Sequence, residues 1–126
     1  MEPTLISLYS GCGGSAKGFQ KAGFKIVFMN DINKDACESL RINFKNGSKA
    51  ETVYQGDIKT RGITEKIREL NDAIDVIEGG FPCQGFSMAG PRKVDDKRNM
   101  LYKHLKQAIK DTNPKFFVAE NVKGFV

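Results

Sequence analysis

An α/β fold with a parallel, doubly wound sheet is predicted by three features of the chain. Short apolar runs alternate with segments of helical periodicity, giving five strands. Glycines or acidic residues stand at the carboxyl end of each run. The first of these ends is a glycine-rich turn that leads straight into a helix. In such sheets the crossovers are right-handed and ligands bind outside the carboxyl ends of the strands. Residues at those ends are therefore the candidates for function.

Leu5–Tyr9 is the first apolar run, and Ser10-Gly11-Cys12-Gly13-Gly14 is the turn that follows it. Ala16–Ala22 then has helical spacing and ends at Gly23. Strand, glycine turn and helix together present backbone N–H groups to a nucleotide-like ligand, although glycines also serve tight turns with no ligand. The spacing is neither GxGxxG nor a Walker loop. Lys25–Met29 is the second strand, with Asn30-Asp31-Ile32 at its end. Asp31 lies at the distance from the glycine turn expected of an acid that binds ribose hydroxyls. It would serve equally as the N-cap of the helix Lys34–Phe44, whose apolar stripe is Ala36, Leu40 and Phe44 with Cys37 packed beside it.

After a turn at Asn46-Gly47-Ser48, Thr52–Tyr54 is the third strand, ending in Gln55-Gly56-Asp57-Ile58. A helix with Ile63, Ile67 and Leu70 on one face leads to the fourth strand, Ala73–Glu78. Beyond it, Gly79-Gly80-Phe81-Pro82-Cys83-Gln84 presents a thiol just past a strand end. Taken alone, Cys83 reads as a small packed hydrophobe in a turn. Met88–Arg98 is polar and irregular, a solvated loop whose basic side chains suit phosphate contacts. A helix from Asn99 to Thr112 turns Leu101, Leu105, Ala108 and Ile109 inward. Pro114 stops it, and Lys115–Ala119 is the fifth strand, with Glu120-Asn121-Val122 at its carboxyl end.

Composition narrows the class. The chain of 126 residues is one domain's worth, and 40% hydrophobic with 28% charged residues is ordinary for a globular protein. No apolar run reaches membrane-spanning length, and no secretion signal opens the chain, so an intracellular setting (cytoplasm or nucleoid) is expected. The three cysteines are far apart, and His104 is the single histidine, so no metal site is expected. The net charge of +5 suits a polyanionic partner without requiring one.

In this order and spacing, the motifs resemble those of the DNA (cytosine-5) methyltransferase family over essentially the whole chain. Leu8–Gly14 is similar to the family's cofactor turn, Asn30-Asp31-Ile32 to its ribose-binding position, and Gly56-Asp57-Ile58 to its adenine-contacting element. Gly80–Ser87 resembles the nucleophile loop, Asp96-Lys97-Arg98 with Leu101 the following Asp-x-Arg segment, and Glu120-Asn121-Val122 the glutamate motif. The resemblance implies a Rossmann-like, S-adenosylmethionine-dependent methyltransferase fold, here its first five parallel strands with flanking helices. It implies that Tyr9, Gly11, Gly13, Gly14, Asp31, Ile32, Asp57, Ile58, Pro82 and Leu101 form the cofactor site. Cys83 is the implied nucleophile and Glu120 its catalytic partner, with Gln84, Ser87 and Arg98 facing the flipped cytosine of DNA. No metal is implied.

The family continues past its glutamate motif into further strands, a target-recognition domain and a C-terminal segment. Residues 1–126 are accordingly expected to be the N-terminal part of such a catalytic domain, from a fragment or a split enzyme of the restriction-modification kind. Lys115–Ala119 is then an exposed edge strand, prone to self-association or to pairing with a complementing C-terminal chain. Two alternatives belong to other substrate or functional classes: a tRNA cytosine-5 methyltransferase of the same fold, and a non-catalytic subunit that binds cofactor or DNA.

Overall fold

The structure is a computed structural model, and it describes residues 2–44, 52–81 and 102–120. The chain alternates strictly: β1 (Thr4–Leu8), α1 (Gly14–Lys21), β2 (Lys25–Asp31), α2 (Lys34–Asn43), β3 (Val53–Gln55), α3 (Arg61–Arg68), β4 (Val76–Gly79), α4 (Tyr102–Thr112) and β5 (Phe116–Ala119). All four strand pairings are parallel, in the order β3-β2-β1-β4-β5. β2 and β3 run outward on one side of β1, and β4 and β5 are laid on the other. The direction of winding reverses between β1 and β4, where an open sheet has its crevice.

Each face of the sheet has its own core. Leu5, Ile26, Met29, Val53 and Val76 pack with Ala16 of α1 and with Cys37, Leu40 and Phe44. Ile6, Leu8, Phe28 and Ile77 pack with Ile63 and Ile67 of α3 and with Leu105 and Ala108 of α4. Cys37 is fully buried, as expected of a packed thiol. Because both faces are covered, the strands read as unbroken apolar runs without alternation. In β2 a register shift opposite Leu5 and Ile6 sends Ile26 and Phe28, two residues apart, to opposite faces.

Several boundaries differ from the sequence expectation. Tyr9 does not extend β1: its φ of 52° turns the chain out of the strand. β2 continues through Asp31, because Asn30 and Asp31 pair with Tyr54 and Gln55 of β3. The fourth strand starts at Val76, since Ala73–Asp75 is engaged with Thr4: Thr4 Oγ1 donates to the Ala73 carbonyl, and the Asp75 N–H donates to the Thr4 carbonyl. The start expected for the last helix, Asn99–Leu101, lies outside the described residues.

At the amino edge of the sheet, Asp75 fastens three strands. Its carboxylate accepts the Thr4 N–H at 2.8 Å and pairs with Lys115 at 2.9 Å. The Thr4 N–H, followed by Lys115, holds this carboxyl below the ordinary carboxylate value. At the far side of the sheet, β5 pairs among the described residues with β4 alone, and Phe116 is 71%, Phe117 60% and Val118 49% exposed. That is the apolar edge the sequence predicts. Among the described residues, no helix is long and apolar enough to cross a membrane.

Candidate functional site

The carboxyl ends of β1, β2 and β3 surround a cavity of about 450 Å³, within the range typical of small-molecule sites. Tyr9, Asp31, Ile32, Asp57 and Ile58, five of the residues expected to bind a cofactor, line it. Asn30, Gly56 and Gly80, which the sequence places within the same motifs without a site role, also line it, and so does Lys59, which sequence reasoning missed. Gly11, Gly13 and Gly14 belong to the adjoining turn.

That turn is held from both sides. The Ser10 N–H donates to the Asn30 carbonyl, and the Gly13 N–H donates back to the Ser10 carbonyl. The Gly11 N–H donates to Asp31 Oδ2 at 2.9 Å. Asp31 Oδ1 accepts the Asn33 N–H, also at 2.9 Å. The cap of α2 is Asn33, whose side chain accepts the Ala36 N–H at 2.9 Å, so Asp31 is not the N-cap. A carboxylate offers about four acceptor positions. Two are used here, which leaves acceptor capacity for hydroxyl groups in the cavity.

Gly13 is required sterically. Its φ is +93°, and a Cβ there would stand 2.7 Å from Leu40 Cδ2 and 2.8 Å from Phe44 Cε2. Gly14 has nothing within 4 Å of such an atom, so its missing side chain leaves open space.

On the far wall, Asp57 shapes the chain with its backbone and offers its side chain. Its carbonyl accepts from the Thr60 N–H and hydroxyl, Oδ1 accepts the Lys59 N–H at 2.9 Å, and Oδ2 lies 3.6 Å from Lys59 Nζ. Asn30, 3% exposed, donates from Nδ2 to the carbonyls of Tyr54 and Gly56 and so ties β2 to the start of this turn. Ile32 is 66% exposed and presents an apolar surface to the cavity. Ile58 is a core residue that only reaches the cavity wall. Burial, and secondarily the charge of Asp57, push the Tyr9 phenol well above its ordinary value, so it remains a neutral hydroxyl. His104 comes within electrostatic reach of Lys59 and Asp57; burial first, then Lys59, lowers its pKa.

Glu120 stands where the sequence places it, just after β5, and its N–H donates to the Gly79 carbonyl at 3.0 Å. Its Oε2 would lie 3.8 Å from a Cβ on Gly80, so the glycine leaves room beside the carboxylate. Pro82, Cys83, Gln84, Ser87, Arg98 and Leu101 lie outside the described residues. No cluster of potential metal ligands occurs among the described residues.

A parallel sheet wound outward from β1, with a glycine turn and two acids opening onto one cavity, defines a Rossmann-like methyltransferase fold. A sequence model of the C-5 cytosine-specific DNA methylase family matches residues 4–126, and the chain belongs to that family. It is 43% identical over 122 residues to the type II methyltransferase M.PspPI of Psychrobacter, covering 96% of this chain and 27% of the relative. It is 40% identical to M.AquIA of Picosynechococcus, covering 100% of this chain and 51% of that protein. Among solved structures, a prophage-encoded E. coli protein described as a DNA modification methyltransferase superposes with a TM-score of 0.77 at 35% identity, over 99% of this chain and 33% of the other. The Dnmt2 methyltransferase of S. pombe superposes with a TM-score of 0.67 at 26% identity, over 98% of this chain and 37% of the other. The chain thus spans between 27% and 51% of the length of these curated relatives.

Proposed function

We propose that residues 1–126 are the N-terminal, cofactor-binding and nucleophile-bearing part of a DNA cytosine-5 methyltransferase of the restriction-modification kind. The observation that carries the reading is the cavity at the strand ends: Asp31 lines it with acceptor capacity to spare and Ile32 presents an apolar wall. These residues fit S-adenosylmethionine. Asp31 would take the ribose hydroxyls, Ile32, Asp57 and Ile58 the adenine, and Tyr9 with the glycine turn the remainder, joined by Pro82 and Leu101. When bound, the cofactor supplies the methyl group.

The protein's own residues prepare the base to receive it. C5 of cytosine is a weak nucleophile until a thiolate adds to C6, the covalent catalysis assigned to Cys83. As that C–S bond forms, the ring electrons shift toward N3. Glu120 provides a proton there and holds the exocyclic amine. The activated C5 then accepts the methyl group. Next, C5 loses its proton to solvent, N3 returns its proton to Glu120, and the C5–C6 double bond re-forms as the C6–S bond breaks and the Cys83 thiolate leaves. Cytosine is out of reach inside a duplex, so the base must be flipped out; Gln84, Ser87 and Arg98 are assigned to holding it.

Covalent trapping tests the reading. With the full-length protein and cofactor, duplex DNA containing 5-fluorocytosine is expected to give an adduct stable to denaturant, because fluorine at C5 blocks the final elimination. The adduct is expected to be absent in Cys83→Ser. A wild-type protein that leaves DNA unmodified but is trapped by 5-fluorocytosine-containing tRNA would move the substrate to RNA, and an adduct that persists in Cys83→Ser would remove the nucleophile.

The exposed β5 edge supports a second part of the proposal, that further polypeptide covers it, either a C-terminal segment or a second copy. An apolar, unpaired edge recruits strands from other chains. The isolated 126-residue chain is expected to sediment as an associating species with little methyl transfer. A stable monomer with full activity would overturn this.

A further inference from the structure

Among the described residues, Ser7, Asn30, Glu78 and Thr112 are the buried polar ones, and only Glu78 carries a charge. A buried carboxylate is costly unless it is hydrogen-bonded or paired, and the reaction described above does not use this one. Its position is informative. Glu78 Oε1 accepts from Ser7 Oγ, and Oε2 accepts from Ser15 Oγ at 3.0 Å. Ser7 lies on β1, directly opposite Glu78 in the β1–β4 register, and Ser15 lies in the first turn of α1. The carboxylate therefore grips the chain both where it enters the glycine turn and where it leaves. Ser10 joins the same group, with its Oγ 2.8 Å from Ser7 Oγ and 3.0 Å from the Ser7 carbonyl. The helix needs the help: α1 has Gly13 as its N-cap, no side-chain cap bond and no acid of its own in the first turn. A negative charge is favourable near that end.

We propose that Glu78 is a positioning residue for the glycine turn: by holding Ser7 and Ser15 at once, it fixes the turn in the conformation that receives the cofactor. A glycine-rich segment loses more freedom on ordering than any other, and a clamp that orders it beforehand spares the ligand that cost. Glu78 also immediately precedes Gly79, whose carbonyl accepts the Glu120 N–H. One carboxylate thus joins the cofactor turn to the strand that leads to Cys83. The inference rests on the reading of the turn as a cofactor site.

The test uses the full-length protein, with S-adenosylhomocysteine binding measured by calorimetry. Ser15→Ala removes one hydroxyl and leaves the Ser7 bond in place. It is expected to weaken binding about tenfold, the order of one hydrogen bond to a charged group, and to lower the melting temperature by a few degrees while the protein stays folded at the assay temperature. In a Glu78→Gln or Glu78→Ala background, the same substitution is expected to cost less than about twofold, because the partner it acts through is gone. Unchanged affinity in Ser15→Ala, or full additivity with Glu78→Ala, overturns the proposal while leaving the cofactor reading intact. A wild-type protein that binds no S-adenosylhomocysteine overturns both.

A pH profile gives a second readout. Burial raises the Glu78 carboxyl above its ordinary 4.5, the bonds from Ser7 and Ser15 oppose the rise, and the charge of Glu120 adds to it. Among the described residues, Glu120 is the charged group that acts on it from the neighbouring strand end. A group raised on folding contributes stability that is complete below its unfolded value and is lost as pH climbs through the folded one. The wild type is therefore expected to lose stability relative to Glu78→Gln as pH rises from about 4.5. Because the Ser15 bond lowers this carboxyl, Ser15→Ala is expected to push the loss to higher pH and deepen it, and a pH profile unchanged by Ser15→Ala would overturn the proposal.

Discussion

Methyl transfer to DNA by the full-length protein is expected to fall about 10²- to 10⁴-fold when Glu120 is replaced by glutamine, the range that a positioned proton donor contributes. The substitution keeps the size of the side chain and one acceptor oxygen but removes the transferable proton. The backbone would be undisturbed, because the Glu120 N–H bond to the Gly79 carbonyl does not involve the side chain. Glu120 does not line the cavity assigned to the cofactor, so S-adenosylhomocysteine affinity is expected to stay within about twofold of wild type. Single-turnover transfer alongside calorimetry separates the two quantities. A transfer rate within threefold of wild type would remove Glu120 from the proton-handling role.

The second large effect is structural. Gly13→Ala is expected to destabilise the fold by about 2–5 kcal/mol, combining left-handed backbone strain with overpacking of a closed core. The new methyl would meet Leu40 and Phe44, which are 0% and 2% exposed and have little room to retreat. A melting temperature lower by roughly 10 °C is the expected reading. Gly14→Ala is the matching control. No atom lies within 4 Å of its added Cβ, and alanine is the better helix former, so the fold should hold. Any loss of S-adenosylhomocysteine affinity in Gly14→Ala would then report ligand approach, not folding. A Gly13→Ala protein as stable as wild type would mean that α2 shifts freely, contrary to its packing.

Much of this was legible in the sequence because fully covered parallel strands leave a simple trace: short apolar runs closed by glycine or acid. That rule sets Asp31, Asp57 and Glu120 at or just past strand ends, where the structure has them. What stayed hidden depends on pairings between distant segments. The strand order and the slip in β2 that parts Ile26 from Phe28 arise only when strands meet. Asn30 looked like one more polar residue at a strand end, and its bonds to the Tyr54 and Gly56 carbonyls need the neighbouring strand to be visible. Glu78 did leave a signal, a charged residue inside a buried apolar run. Its meaning required the register that sets it against Ser7. His104 had no partner along the chain, and only the placement of α4 brings it near Asp57 and Lys59.

The arrangement of strands also sets the order in which the molecule can assemble. β1 is the centre of the sheet, yet its partner on one side, β4, is far away along the chain; Thr4 and Asp75, bonded to each other, are 71 residues apart. Pairings this distant are slow to form, and a chain leaving the ribosome reaches this one only after β2 and β3 have emerged. β1, β2 and β3 are able to associate early, while β1 keeps one bare side until Val76–Gly79 has been synthesised. Insertion of β4 closes that side and, in the same event, brings Glu78 beneath the glycine turn. The nascent protein is thus expected to acquire an ordered ligand turn only after about two-thirds of these residues have emerged, a sequence of events that hydrogen exchange on stalled chains of increasing length would resolve.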